Sequence, residues 1–197
     1  MAKHINKDDL QKIKLVKYED IRSKIETGQL FFTSGDYAIS KAIQKFSKSP
    51  WSHVGIFFND NYLNRIMVLE SVEDMGCRFI PFSEYVNNYH GEVVVANFDY
   101  KKLGWFAHGH DEYNIVPILA KGIDRILKKY DKPEFVRIIK RIIDGKGKVH
   151  ENDLDICSEY VYRCYKQIYE FKYDNKGYIT PENIFNDELV DILWRVR

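Results

Sequence analysis

The chain has 197 residues, with 30 Lys and Arg against 29 Asp and Glu and a formal net charge of +1. That length suits one domain with a sizeable core, and the near-neutral balance gives no footing for nucleic acid or an anionic membrane as a partner. Three cysteines (Cys77, Cys157, Cys164), an odd number without close C-x-x-C spacing, argue against a disulfide framework and a structural zinc site.

Residues 1–17 are polar and lysine-rich and read as a loosely ordered lead-in. They hold no apolar run and no small-residue cleavage site, so no signal peptide is expected. No segment approaches the roughly 18 apolar residues of a membrane span. The expectation is a cytoplasmic chain with free thiols and no stable membrane association. Residues 18–27 fit a short helix ended by Gly28, and residues 29–33 a buried strand, followed by the turn Ser34-Gly35-Asp36. Ala38, Ile39, Ala42, Ile43 and Phe46 recur at helical spacing up to about Ser47, and Pro50 prevents a simple continuation.

The next stretch is β. Apolar runs at 54–58 and 66–72, separated by Asn59-Asp60-Asn61, predict a hairpin. Residues 78–81 suit a short third strand, 82–89 a helical turn and 92–98 a further strand. Residues 99–150 read as a helix-rich insertion. After an aperiodic start, Val116, Leu119, Ile123, Ile126 and Leu127 mark one helix face; Pro133 breaks it, and residues 135–143 form another helix closed by Gly145. A polar loop to Asp155 precedes a helix whose Cys157, Val161, Cys164, Tyr165 and Ile168 share a stripe. In the tail, Pro181 suits the first position of a helix.

Cys157 and His53 carry the chemical signal. A thiol in the first turn of a helix faces unpaired backbone N–H groups and the positive end of the helix dipole, which favour thiolate and can hold an oxyanion. His53 stands where a loop enters a strand, from which its ring can project across a cleft as a base. Glu70 sits inside an otherwise apolar run, Ile-Met-Val-Leu-Glu-Ser, where a carboxylate is costly to bury without a partner. If the two runs pair as a hairpin, Glu70 lies beside His53. Each residue also has a plainer reading: Cys157 a small buried hydrophobe like Cys164, His53 a strand-edge residue bonded to backbone, Glu70 a residue emerging into solvent. The three together favour a site.

Trp-Ser-His-Val-Gly-Ile-Phe (51–57), Val-Leu-Glu-Ser (68–71) and Ile-Cys-Ser-Glu-Tyr-Val-Tyr (156–162), in that order, resemble the permuted papain-like branch of the NlpC/P60 superfamily. That branch holds the YiiX/YebB-type bacterial proteins and related poxvirus proteins. Gln-Leu-Phe-Phe-Thr-Ser-Gly-Asp (29–36) is similar to the strand and turn before the histidine in that group, with Gln29 where its pattern has an acidic residue. The resemblance frames 29–72 and 156–163 and leaves 99–150 unmatched. It implies an α+β, circularly permuted papain-like fold, a small antiparallel sheet or partial barrel packed against helices, with the histidine preceding the cysteine. It implies Cys157 as nucleophile, His53 as base and Glu70 as orienting group. Gly35, Asp36, Trp51, Ser52 and Ser158, which flank the three, are the expected substrate contacts.

The leading expectation is a cysteine hydrolase cleaving an amide or peptide bond through a thioester, with a small peptide or acyl compound as substrate and no cofactor. A lipid acyltransferase or thioesterase of the lecithin:retinol acyltransferase-like type is the alternative among enzymes, and a peptide- or amino-acid-binding domain the alternative outside them. A binding module has no need of a nucleophile beside its base. His108 and His110 flank Gly109 and precede Asp111; with no third ligand assignable they read as a surface loop and no metal is expected.

Overall fold

The computed structural model of the chain describes residues 5–103, 115–131, 136, 155–172 and 178–197. His108, His110 and Asp111 lie outside the described residues, as does nearly all of the helix expected over 135–143. Among the described residues, strands β1 (Leu15–Val16), β2 (Leu30–Gly35), β3 (His53–Asp60), β4 (Arg65–Val72), β5 (Gly76–Pro81), β6 (Gly91–Phe98) and β7 (Val190–Val196) form one sheet. Its order is β1-β7-β6-β2-β3-β4-β5. The helices are α1 (Lys7–Leu10), α2 (Tyr18–Ile21), α3 (Ala38–Ser47), α4 (Ser83–Asn88), α5 (Val116–Asp124), α6 (Cys157–Tyr165) and α7 (Pro181–Phe185). The expected α+β architecture is present, and the sheet is larger than expected. No helix of the described residues is long and apolar enough to cross a membrane.

The alternation of strand side chains builds two cores from this one sheet. Leu30, Phe32, Val54, Ile56 and Leu69 face α5, α6 and α7, where they meet Ile118, Tyr160, Val161, Cys164 and Phe185. Phe31, Phe57, Val68, Val93 and Val95 face the opposite way, toward Ile21, Phe82 and Tyr85. The central strand β2 is therefore buried on both faces, which is why its sequence is a continuous apolar run.

Residues 5–17 are not a loose lead-in. Asn6 caps α1, its Oδ1 accepting from Asp8 N at 2.8 Å and Asp9 N at 3.0 Å. Leu15 then pairs in parallel with Arg195 of β7, at the other end of the chain. A two-residue strand has no period to read, and its partner is supplied only by the fold. The helix expected over 18–27 ends early. Ile21 closes α2, a tighter turn takes Arg22–Lys24, and Ile25 turns extended so that both isoleucines bury.

Gly55 is required by close approach. A Cβ there would stand 2.4 Å from Phe31 Cε1 and 3.0 Å from the Leu69 carbonyl oxygen. Phe31 is itself wedged between Phe57 and Tyr85 at centroid distances of 5.5 and 4.9 Å, so its ring has nowhere to move. Gly55→Ala is expected to destabilise the fold by about 1–3 kcal/mol through overpacking. Urea unfolding checks this, and an unchanged midpoint would count against that packing argument.

Candidate active site

His53 opens β3 opposite Thr33 of β2. The β3–β4 ladder runs through Ile56↔Leu69; continued by one rung it places Glu70 opposite Gly55 and diagonal to His53. Residues 53, 55 and 57 share a face with Phe31, Val68 and Glu70. With no side chain at Gly55, nothing stands between histidine and carboxylate. His53 Nε2 and Glu70 Oε2 are 2.6 Å apart, the juxtaposition that a hairpin at these positions predicted.

Glu70 has no exposed surface, and its lone pairs are all engaged. Oε1 accepts from Arg78 Nε at 2.8 Å and lies 2.7 Å from Nη2 of the same guanidinium in an ion pair. Oε2, already facing His53, also accepts from the Tyr85 hydroxyl. Arg78 is Glu70's cross-strand partner on β5, and Tyr85 comes from α4. The Tyr85 ring lies nearly parallel to the imidazole, 18° between planes with centroids 6.3 Å apart, and Phe31 closes another side at 5.7 Å.

Cys157 is the first residue of α6, which packs against β3 and β4. Glu159 Oε2 accepts from Ile156 N at 3.2 Å and finishes the helix start. Cys157 lines the same cleft as His53, and since Nε2 faces Glu70, Nδ1 is the ring nitrogen left for a thiol. Burial works against a charged imidazole, but the hydrogen bonds and charges of Cys157 and Glu70 outweigh it and raise the His53 pKa to about 10. Burial also opposes ionisation of Glu70, and is outweighed by His53, Arg78 and Tyr85, which hold its carboxyl below the usual range. Burial pushes Cys77 up to about 12 and raises Cys164 as well.

His53 and Cys157 line a cleft of about 770 Å³ together with Tyr37, Tyr85, Tyr89 and Tyr130. Of the expected substrate contacts, Ser52 lines this cleft, its Oγ donating to the Thr33 carbonyl at 3.1 Å. The others do not. Trp51 is wholly buried against Phe32 and Phe185, at centroid distances of 5.4 and 4.8 Å. Ser158 is buried, its Oγ spent on the Ile179 carbonyl at 2.8 Å. Asp36 is exposed beyond the end of β2. Gly35 leaves room for its neighbours, since a Cβ there would meet the Tyr89 hydroxyl at 2.4 Å and Ser40 Oγ at 2.7 Å.

The sequence reading missed Arg78, Tyr85 and Tyr130. Extending the hairpin register to β5 finds Arg78, because it stands opposite a buried carboxylate. Tyr85 and Tyr130 carry no comparable local signal. Tyr130 lines the cleft with Cys157, and burial, then the nearby charges of Cys157 and Glu73, push its hydroxyl well up in pKa.

Residues 24–103 match the family described as "permuted papain-like amidase enzyme, YaeF/YiiX, C92 family". The matched stretch holds His53 and Glu70 but ends before Cys157. No curated protein matches the sequence. Among solved structures, the chain is similar to the metalloprotein yiiX from Escherichia coli O157:H7. The two share 17% identity and a TM-score of 0.61 over 85% of this chain and 96% of that one. At that identity the likeness speaks for the fold.

The raised His53 pKa has a consequence for stability. A folded-state pKa above the unfolded value contributes stability that is complete below the unfolded pKa and is lost as pH rises through the folded one. The stability difference between the wild-type chain and His53→Ala should therefore be largest at pH 6.5 and shrink toward pH 10. Urea unfolding of both proteins across that range checks it; a constant gap would contradict the buried imidazolium.

Proposed function

We propose that the chain is a permuted papain-like, YiiX-like amidase, as the match over residues 24–103 and the shared fold support, and that Cys157 is the nucleophile of a cysteine hydrolase. His53 is its general base and acid, and Glu70 is the group that orients the imidazole. The observation that supports this best is the placement of His53. It is held through Nε2 at 2.6 Å from Glu70 and lines one cleft with Cys157.

The reaction follows from that arrangement. His53 takes the proton of Cys157, and the sulfur attacks the carbonyl carbon of an amide or peptide bond. Charge moves to the carbonyl oxygen, for which the Cys157 backbone N–H at the start of α6 is the assigned donor. His53 passes its proton to the leaving nitrogen, the C–N bond breaks, and a thioester remains. Water then gives a proton to His53 and attacks the thioester; the C–S bond breaks and a carboxylic product leaves. Glu70 stays ionised throughout, because Arg78 and Tyr85 occupy its remaining lone pairs. The substrate is a small peptide or other amide or acyl compound that fits the cleft beside the thiol.

The Escherichia coli protein is titled a metalloprotein. In this chain no three His, Cys, Asp or Glu side chains of the described residues converge as metal ligands, and no step here runs through a metal.

Labelling with a thiol-directed acyl probe tests the reading. Cys157→Ser should abolish labelling at that site and His53→Ala should slow it by about 100-fold or more, with the circular dichroism of both unchanged. Labelling that persists in Cys157→Ser, or is unaffected by His53→Ala, sinks the assignment.

A further inference from the structure

Two residues before Cys157 stands a carboxylate that this reaction does not use. Asp155 has no exposed surface. Its Oδ2 accepts from Nε of Arg125, just past α5, and its Oδ1 lies 2.8 Å from Nε of Arg163 on α6 itself. Its backbone carbonyl accepts from Ser71 Oγ at 2.8 Å and from Asp131 N at 3.3 Å. Four parts of the chain therefore meet at one residue.

Ser71 directly follows Glu70 on β4. Successive strand residues point to opposite faces, so Glu70 reaches His53 on one face while Ser71 reaches the Asp155 carbonyl on the other. The base and the segment that carries the nucleophile are thus referenced to neighbouring residues of one strand. We propose that Asp155 is a positioning residue: clamped by Arg125 and Arg163 and tied through Ser71, it fixes the start of α6 against β4 and holds Cys157 in reach of His53. This rests on Cys157 and His53 acting as nucleophile and base. An apolar side chain at 155 would fill the space, but it could not hold the two arginines or the direction of the segment. A displacement of about 1 Å in a reacting group costs on the order of 100-fold in rate.

Ser71 offers the clean test, since Ser71→Ala keeps every charge and Ser71, although it borders the cleft, is buried with its hydroxyl committed to the Asp155 carbonyl. The measurement is the alkylation rate of Cys157 by iodoacetamide, followed by mass spectrometry on the peptide that carries it and normalised to total protein. Ser71→Ala is expected to slow Cys157 by about tenfold, the loss of one hydrogen bond's worth of restraint. Ser71→Thr, which restores the hydroxyl, should return it to within about twofold of wild type. Asp155→Asn should slow it at least as much as Ser71→Ala. A wild-type rate in folded Ser71→Ala or Asp155→Asn protein, or a Ser71→Thr rate as slow as Ser71→Ala, overturns the positioning role while leaving the nucleophile assignment standing. A Cys157 rate that does not respond to His53→Ala overturns both, which separates the two failures.

Discussion

A carboxylate with no exposed surface has to be compensated where it stands, because an unpaired charge in the interior costs several kcal/mol. Glu70 is compensated by three side chains from three segments. His53 comes from the start of β3, Arg78 from the facing position on β5, and Tyr85 from α4. Each is needed for the others to be in place: without Arg78 and Tyr85, Glu70 would have lone pairs left over, and its acceptor for His53 would not be fixed in direction. The site is therefore part of the core, and it is the most demanding part. Phe31, Phe57 and Phe82 pack around it on the same face of the sheet, keeping water from the carboxylate and stiffening the ring contacts of the imidazole.

Strand β4 is the common reference for both halves of the site. Its pleat sends Glu70 to one face and Ser71 to the other. The helix bearing Cys157 packs on the Ser71 face, and its first residue reaches past the sheet to the histidine. Distance along the chain is irrelevant to this geometry. Cys157 and His53 arrive from segments far apart in sequence, and the strand between them sets their separation. The tyrosines at 37, 85, 89 and 130 then wall the cleft over the pair, giving it flat apolar surfaces with hydroxyl groups at their edges.

Where the sequence was misleading, the cause is consistent. Trp51 stands two residues before the histidine and reads as a substrate contact, but its ring goes to Phe32 and to Phe185, which lies far along the chain. Ser158 follows the cysteine and reads as a substrate contact, but its hydroxyl ties α6 to the segment before α7. The lead-in at 1–17 reads as loose because it is polar, yet residues 15 and 16 complete the edge of the sheet beside β7. In each case the local residue type was read correctly and its partner was not. Proximity to a functional residue in sequence is weak grounds for proximity in the site.

The amino-acid sequence alone determined the apolar runs of β2, β3 and β4, the helix that opens at Cys157, and the pairing of His53 with Glu70 across a short hairpin. These are local quantities: a run length, a cap, a register over a few residues. Only the tertiary structure decided that Arg78 and Tyr85 would share the buried carboxylate, that Tyr130 would wall the cleft, and that the Asp155 carbonyl would meet Ser71 of β4. Periodicity tells which face of an element is buried but not what it is buried against, and a charge inside a protein is settled by that second fact.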